Sequence, residues 1–186
     1  MITSSVTPNP TIQRARPEFR RTANPPYRVE HSGTVLVCGN ASCLSDDLER
    51  SQSFFPDAPI IAVNGASREV KAFALFSQHP ERFVQFGHEW IRRQNKFHYW
   101  WDIELGGGSA WGARKMAHYM GFDTVILCGC PLEIGNYASG QPGMLMTRKN
   151  VIDDLRFSIE RDVKWHGGVY SMSGWTKEFL GVLPGC

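Results

Sequence analysis

The stretch TVLVC at residues 34–38, bounded by Gly33 and Gly39, decides the fold. A short run of apolar and β-branched residues between glycines is typical of a strand that is buried on both faces. Similar runs recur as PIIAV at 59–63 and DTVILC at 123–128. A strand without a polar face needs a covering layer on each side. These runs therefore predict a sheet that lies between helices.

Helical patterns alternate with the strands, which implies a parallel sheet with right-handed crossovers. The sequence predicts an α/β fold, a Rossmann-like three-layer sandwich with a mostly parallel central sheet. Such sheets bind ligands at the carboxyl ends of their strands. Further strands are predicted at 72–76, 97–101 and 169–172, and helices at 42–51, 66–71, 89–93, 109–120, 147–165 and 175–180.

The first 30 residues differ from the rest in composition. They hold five arginines against two glutamates, with five prolines and no apolar periodicity. Residues 1–30 are therefore predicted to be a basic, Pro-rich arm, extended or disordered, that either contacts an acidic partner or only aids solubility. Residues 31–186 are predicted to form one Rossmann-like domain.

No apolar run approaches the roughly 20 residues that span a bilayer, and the start of the chain lacks a signal-peptide pattern. The five cysteines form an odd count without a secreted-type framework. These features predict a cytoplasmic protein with free thiols.

Two asparagines follow two of the predicted strands. Gly39-Asn40-Ala41-Ser42 comes directly after the first strand, and Asn64-Gly65 after the second. A glycine turn before a helix can bind an anion through its backbone amides, and an asparagine offers both a donor and an acceptor to a base or sugar. Each segment also fits an ordinary turn. If they bind a ligand, the two asparagines are expected to converge on one crevice.

A third glycine-rich segment, 106–109, precedes the Ala-rich helix. Gly107, Gly108 and the helix-capping Ser109 would form a nest of backbone amides suited to phosphate or a carboxylate. The alternative is a flexible linker with an N-cap. Trp111, two residues after the cap, is a candidate for stacking on a base or sugar.

The order VLVCGNASCL, IIAVNGAS and GGGSAWGARKMAHYMGFDTVILCG resembles bacterial sialyltransferases that use CMP-sialic acid. It is also similar to the related group of motility-associated glycosyltransferase-like proteins and archaeal 6-hydroxymethylpterin diphosphokinases. The resemblance covers about half of the chain, 34–132. Two other segments, 78–81 and 169–176, resemble phage-encoded proteins, which would place the chain in the cytoplasm of an infected host.

The resemblance implies roles for several residues. Asn40 and Asn64 would contact the phosphate and the ribose or base, and Ser109 with the glycines before it would line the same pocket. The segment near 129–147 would be a mobile lid, and it would supply Tyr137 to the phosphate. The turn here lacks the Gly-Pro usual in the group, and Gly129-Cys130-Pro131 replaces its Gly-x-Asp.

Two histidines are candidate general bases for the transfer, since imidazole has a suitable pKa. His79 follows the third predicted strand, and His166 follows the helix after the lid. A further alternative is a zinc site, because four cysteines lie near two adjacent strand ends. Their spacing is not a common ligand spacing, and no metal is assigned. These are Cys38, Cys43, Cys128 and Cys130.

Together these features predict a nucleotide-binding protein that acts as a glycosyltransferase with a nucleotide-sugar donor, CMP-type favoured. Two alternatives stay open: a nucleotide-dependent diphosphotransferase, and a non-catalytic protein of phage origin that sequesters a nucleotide. The expected partner is a small-molecule nucleotide. The acceptor is not identified, and a homo-oligomer is left open.

Overall fold

Six strands form one parallel sheet within the part of the chain that the structure describes. Their order across the sheet is β4 (Tyr99–Trp100), β3 (Ala74–Phe76), β2 (Ile60–Val63), β1 (Thr34–Cys38), β5 (Thr124–Cys128) and β6 (Val169–Ser171). This structure is a computed structural model, and it describes residues 31–78, 99–100, 108–140, 149–162 and 167–185. In chain order the elements are β1 (Thr34–Cys38), α1 (Leu44–Phe54), β2 (Ile60–Val63), a 3₁₀ helix (Asn64–Arg68), β3 (Ala74–Phe76), β4 (Tyr99–Trp100), α2 (Gly108–Tyr119), β5 (Thr124–Cys128), α3 (Lys149–Asp162), β6 (Val169–Ser171) and α4 (Gly174–Leu180).

Alternate residues of each strand enter two separate cores. One core holds Val35 and Val37 of β1 with the small and apolar face of α2 and Ile159 of α3. The other holds Leu36 and Cys38 with Leu44 of α1. The sheet is thus the middle of three layers, as the double-sided burial of its strands requires. The predicted α/β sandwich is confirmed, and every strand pair in it is parallel.

The connections reverse direction at the centre of the sheet. From β1 the chain moves outward through α1 to β2 and β3, whereas from β5 it moves the other way through α3 to β6. The loops after β1 and β5 therefore lead to helices on opposite faces of the sheet, and this switch point is where such sheets commonly bind ligands.

Two local predictions differ from the structure. The helix predicted at 42–51 is α1, which begins at Leu44 and ends at Phe54. The pattern at 66–71 predicts a short helix, but a 3₁₀ helix begins two residues earlier, at Asn64, and ends at Arg68. Asn64 has a φ of 51°, so the chain turns immediately where β2 ends. Asparagine tolerates this left-handed conformation better than most residues do.

Candidate functional site

The carboxyl edge of the sheet brings together three of the segments that the sequence singles out. The turns at 39–42 and 64–65 follow β1 and β2, which are neighbours. Helix α2 starts at the same edge, because Gly112 near its start packs on Phe76, the last residue of β3. At its other end, Met120 accepts a hydrogen bond from the backbone of His31, which precedes β1.

Asn40 and Asn64 follow the ends of these neighbouring strands. The last β1–β2 register pair is Cys38 with Ala62, so each asparagine lies two residues beyond this pair, at the carboxyl edge of the sheet. Both residues are half-buried. Their side-chain Oδ1 atoms are buried, and neither has a hydrogen-bond partner within the described part of the chain. Buried polar atoms are usually paired, so two unpaired acceptors at one edge need an explanation.

The turn after β1 is packed tightly against the loop that follows β5. A Cβ atom on Gly39 would lie 2.5 Å from the carbonyl oxygen of Gly129, and one on Gly129 would lie 2.6 Å from that of Gly39. Gly129 also has a φ of 63°. These glycines therefore allow two loops to cross in contact at the switch point.

Three backbone amides of this turn already have partners. Gly39 donates to the Cys128 carbonyl (2.8 Å), Ala41 to Gly129 (3.1 Å) and Ser42 to Asn136 (2.9 Å). An anion at this turn would have to use other groups. The binding roles of Gly39 and Ser42 therefore remain predictions, and the exposed Ser42 side chain is the part of this pair left for a ligand.

Tyr137 lies beside this turn. It forms an isolated antiparallel bridge with Ala41, and the amide of Ala138 donates to the Asn40 carbonyl at 2.9 Å. The structure thus brings the half-buried Tyr137 next to Asn40, as its predicted role requires. Its contact with a phosphate stays a prediction.

The described part of the predicted lid, 129–140, is held by side chains from three helices. Arg156 of α3 donates to the Leu132 carbonyl through Nη2 at 3.0 Å. Thr176 of α4 donates to the Cys130 carbonyl at 2.7 Å. Asp47 of α1 accepts from the Gly129 amide at 2.8 Å. Residues 141–147 lie outside the described residues, and a mobile lid stays a prediction.

Asp47 is a residue that sequence reasoning missed. It is 6% exposed, and its carboxylate accepts hydrogen bonds from the Gly129 amide and from the Ser173 hydroxyl. It therefore joins α1 to the loops after β5 and β6. Asp46 and Asp47 both lie in the first turn of α1. No local feature of the sequence distinguishes the buried acid from the exposed one.

The first turn of α2 lies at the same carboxyl edge of the sheet. Gly108 has a φ of 79° and is half-buried with Ser109, while Trp111 is 1% exposed. The indole of Trp111 donates to Asp162 of α3 at 3.2 Å, so this residue joins two helices. Gly107 lies outside the described residues.

The two candidate bases, His79 and His166, also lie outside the described residues. Their catalytic roles therefore remain predictions. His118, which the sequence places inside a helix, donates through Nδ1 to the Phe122 carbonyl at 3.0 Å. Burial lowers its pKa, against a smaller opposite effect of that hydrogen bond.

The cysteines divide between the two faces of the sheet. Cys38 and Cys128 are register partners on adjacent strands and lie in the core beneath α1, whereas Cys130 lies in the opposite core. The hydrogen bond to Cys128 and burial raise the pKa of Cys38, and burial raises the pKa of Cys130. Within the described ranges, no three His, Cys, Asp or Glu side chains form a group that could hold a metal ion.

A groove of about 500 Å³ lies away from this edge. Its lining includes Pro59 and Ile60 at the start of β2 and Ala72 and Phe73 before β3. It is therefore at the amino ends of the strands, opposite the predicted binding edge.

Among the described helices, none has the length and apolar character needed to cross a membrane.

Comparison with known proteins gives no match: no family model matches the chain, and no curated protein or solved structure matches it significantly.

Proposed function

We propose that the chain binds a nucleotide at the carboxyl edge of its sheet and uses a nucleotide sugar, of CMP type, as a glycosyl donor. The observation that carries the binding proposal is the pair of buried, unpaired amide oxygens on Asn40 and Asn64. An acceptor of this kind loses its bonds to water on folding and regains them only from a donor. The amino group of a base and the hydroxyls of a ribose are such donors.

The positions of the pair also support a single ligand. Asn40 follows β1 and Asn64 follows β2, which are adjacent parallel strands about 4.8 Å apart, so both residues lie at the same stretch of the carboxyl edge and one nucleotide can reach both. The helix start at Gly108 adds the positive end of a helix dipole at this edge, which favours phosphate. Glycosyl transfer follows from the sequence resemblance, with His79 or His166 as the base that takes the acceptor proton.

Thermal unfolding with CMP, UDP, ADP and NAD, each with and without Mg²⁺, tests binding. A ligand at 100 times its dissociation constant stabilises a protein by about 2.7 kcal/mol. For a chain of this size that corresponds to about 5–11 °C in Tm. CMP should give the largest shift. No shift with any nucleotide would refute the proposal.

Two variants assign the binding to the asparagines. Asn40→Ala removes one amide, and Asn64→Gly removes the other while keeping the left-handed backbone relaxed. Each should reduce the shift given by CMP, since each removes an acceptor for the ligand. Asn136→Ala is the matched control, because Asn136 is exposed at the same edge and contributes its backbone carbonyl to the turn. If Asn136→Ala reduces the CMP-induced shift in Tm by the same amount, the asparagine variants act through the fold and not through contact with the ligand.

Hydrolysis of a stabilising sugar nucleotide tests the activity. The wild type should release the sugar slowly without an acceptor, and His79→Ala or His166→Ala should lower that rate by about 10²- to 10⁴-fold if the histidine is the base. Equal rates in all three proteins would remove both histidines as bases. Binding without release would support a nucleotide-sequestering protein instead.

A further inference from the structure

The groove of about 500 Å³ at the amino ends of the strands has no part in the proposed nucleotide site. One wall comes from α1 and the turn after it, and the other from the segment that joins the 3₁₀ helix to β3. Leu48, Ala58 and Val70 line the groove and pack against the core beneath α1. All three are half-buried, so the groove leaves part of this apolar surface uncovered.

The first described residue lies beside a wall of this groove. The ring of His31 stacks on that of Phe122, with 4.8 Å between their centres, and lies 5.6 Å from the ring of Phe73. Phe73 is one of the residues that line the groove. The backbone of His31 is held as well, because its amide donates to the Met120 carbonyl at 3.2 Å. The basic arm therefore joins the domain next to the groove.

The last six residues of the arm, PPYRVE at 25–30, suit an apolar groove with a charged rim. Two prolines in succession favour an extended chain. In an extended chain successive side chains lie on opposite faces, so Tyr27 and Val29 would share an apolar face, and Arg28 and Glu30 a charged one. Extended, proline-containing segments bind apolar grooves with a small loss of conformational entropy.

The exposed charges that line the groove are complementary to this segment. Lys71 is two positions, and Glu69 four positions, from the phenylalanine that the first described residue contacts. The arm has Glu30 next to the domain and Arg28 two positions further away, which is the same order with opposite signs. On the other wall, Asp57 adds a second exposed carboxylate. An arginine within the groove would thus have a carboxylate on each side.

We propose that this groove is the docking site of residues 25–30 of the same chain. In this arrangement Tyr27 and Val29 cover the apolar floor, Arg28 lies between the two carboxylates, and Glu30 faces the lysine. The docked segment lies at the amino ends of the strands, so it leaves the carboxyl edge free. The inference does not depend on the proposed nucleotide.

Chymotrypsin tests the proposal in the full chain, because the arm has two aromatic cleavage sites. Tyr27 lies in the docked segment, and Phe19 lies outside it. Each cleavage rate is divided by the rate at the same bond in a free peptide of residues 15–31. We expect cleavage after Tyr27 to be slowed by about 10-fold, since cleavage follows the open fraction when opening is fast. Cleavage after Phe19 should match that of the peptide.

Charge variants on the rim separate docking from simple closeness to a folded domain. Asp57→Lys combined with Glu69→Lys reverses both carboxylates, and both positions are exposed, so the fold should be retained. The double variant should speed cleavage after Tyr27 by about 3- to 10-fold, the effect expected for the loss of two exposed ion pairs. Glu49→Lys is the matched control, because Glu49 is an exposed acid of α1 outside the lining of the groove, and it should change nothing. Arg28→Glu added to the double variant should restore the slow cleavage, measured against a peptide with the same substitution.

Cleavage after Tyr27 at the peptide rate in the wild type would overturn the inference. Slow cleavage that persists unchanged in the Asp57→Lys, Glu69→Lys variant would also refute it, because closeness to the domain would then be the cause. Slowing that increases with protein concentration would assign the groove to the arm of a second copy, against docking within one chain.

Discussion

Asp47→Ala should destabilise the protein far more than Asp46→Ala, although the two acids are neighbours in the first turn of α1. The Asp47 carboxylate accepts from the Gly129 amide and from the Ser173 hydroxyl. A hydrogen bond to a charged group contributes about 1.5–3 kcal/mol. Because Ser173 is half-buried, its hydroxyl can partly turn to water, whereas the Gly129 amide is left buried and unpaired. We expect a total loss of about 3–4 kcal/mol.

The measurement is the free energy of unfolding in urea, with thermal melts beside it. A loss of 3–4 kcal/mol corresponds to about 6–16 °C in Tm for a chain of this length. Asp46 is exposed, and its removal should cost only the helix-dipole interaction, about 0.3–1 kcal/mol. Asp47→Asn should fall between, because a neutral amide oxygen can still accept one of the two bonds. If the two alanine variants differ by less than 1 kcal/mol, the assigned role of Asp47 is refuted.

Three further predictions concern the loop crossing, the pH dependence and the thiols. Gly129→Ala should cost about 1–3 kcal/mol more than Gly140→Ala in urea unfolding. Both residues have positive φ, but only a Cβ atom on Gly129 would meet the Gly39 carbonyl oxygen, at 2.6 Å; equal costs would contradict the close packing of the two loops. Burial lowers the pKa of His118 in the folded chain. Its contribution to the free energy of unfolding is therefore complete above the pKa of the unfolded chain, about 6.5, and is lost as the pH falls toward the pKa of the folded chain. The wild type should therefore lose more stability than His118→Gln below that pH, and parallel curves would contradict this. Of the four described cysteines, Cys43 alone is half-buried and the others are buried. Cys43 should therefore react fastest with a thiol reagent in the native chain. Slower labelling of Cys43 than of the other three would contradict this.

The layers of the fold could be predicted from the sequence because they depend on local patterns. The runs at 34–38 and 123–128 have no polar face, so they had to be covered on both sides, and the structure pairs them as adjacent parallel strands. The helix predicted from Ser109 begins at Gly108. Burial determines these features, and it can be read from the unbroken apolar runs of the strands and from the helical periodicity of α2.

The contacts at the carboxyl edge could not be predicted in the same way, because they depend on which loops meet. Asp46 and Asp47 give the same helix-start signal, and only the positions of the loops after β5 and β6 make one of them a buried acceptor. Gly39 fits an anion-binding turn and a close packing contact equally well in the sequence. The structure shows the packing contact, which is set by Gly129, a residue 90 positions away in the chain.

The loop crossing has a consequence for where a ligand can lie. In doubly wound sheets the switch point between the two central strands is the usual crevice, but here the contact of Gly39 with Gly129 and the bridge of Ala41 with Tyr137 occupy it. The unpaired polar groups of the edge are found elsewhere, on Asn40 and Asn64. In the proposed site the base and ribose therefore lie over the ends of β1 and β2. This arrangement predicts that variants at the contact of Gly39 with Gly129 change stability, whereas variants at the two asparagines change ligand affinity.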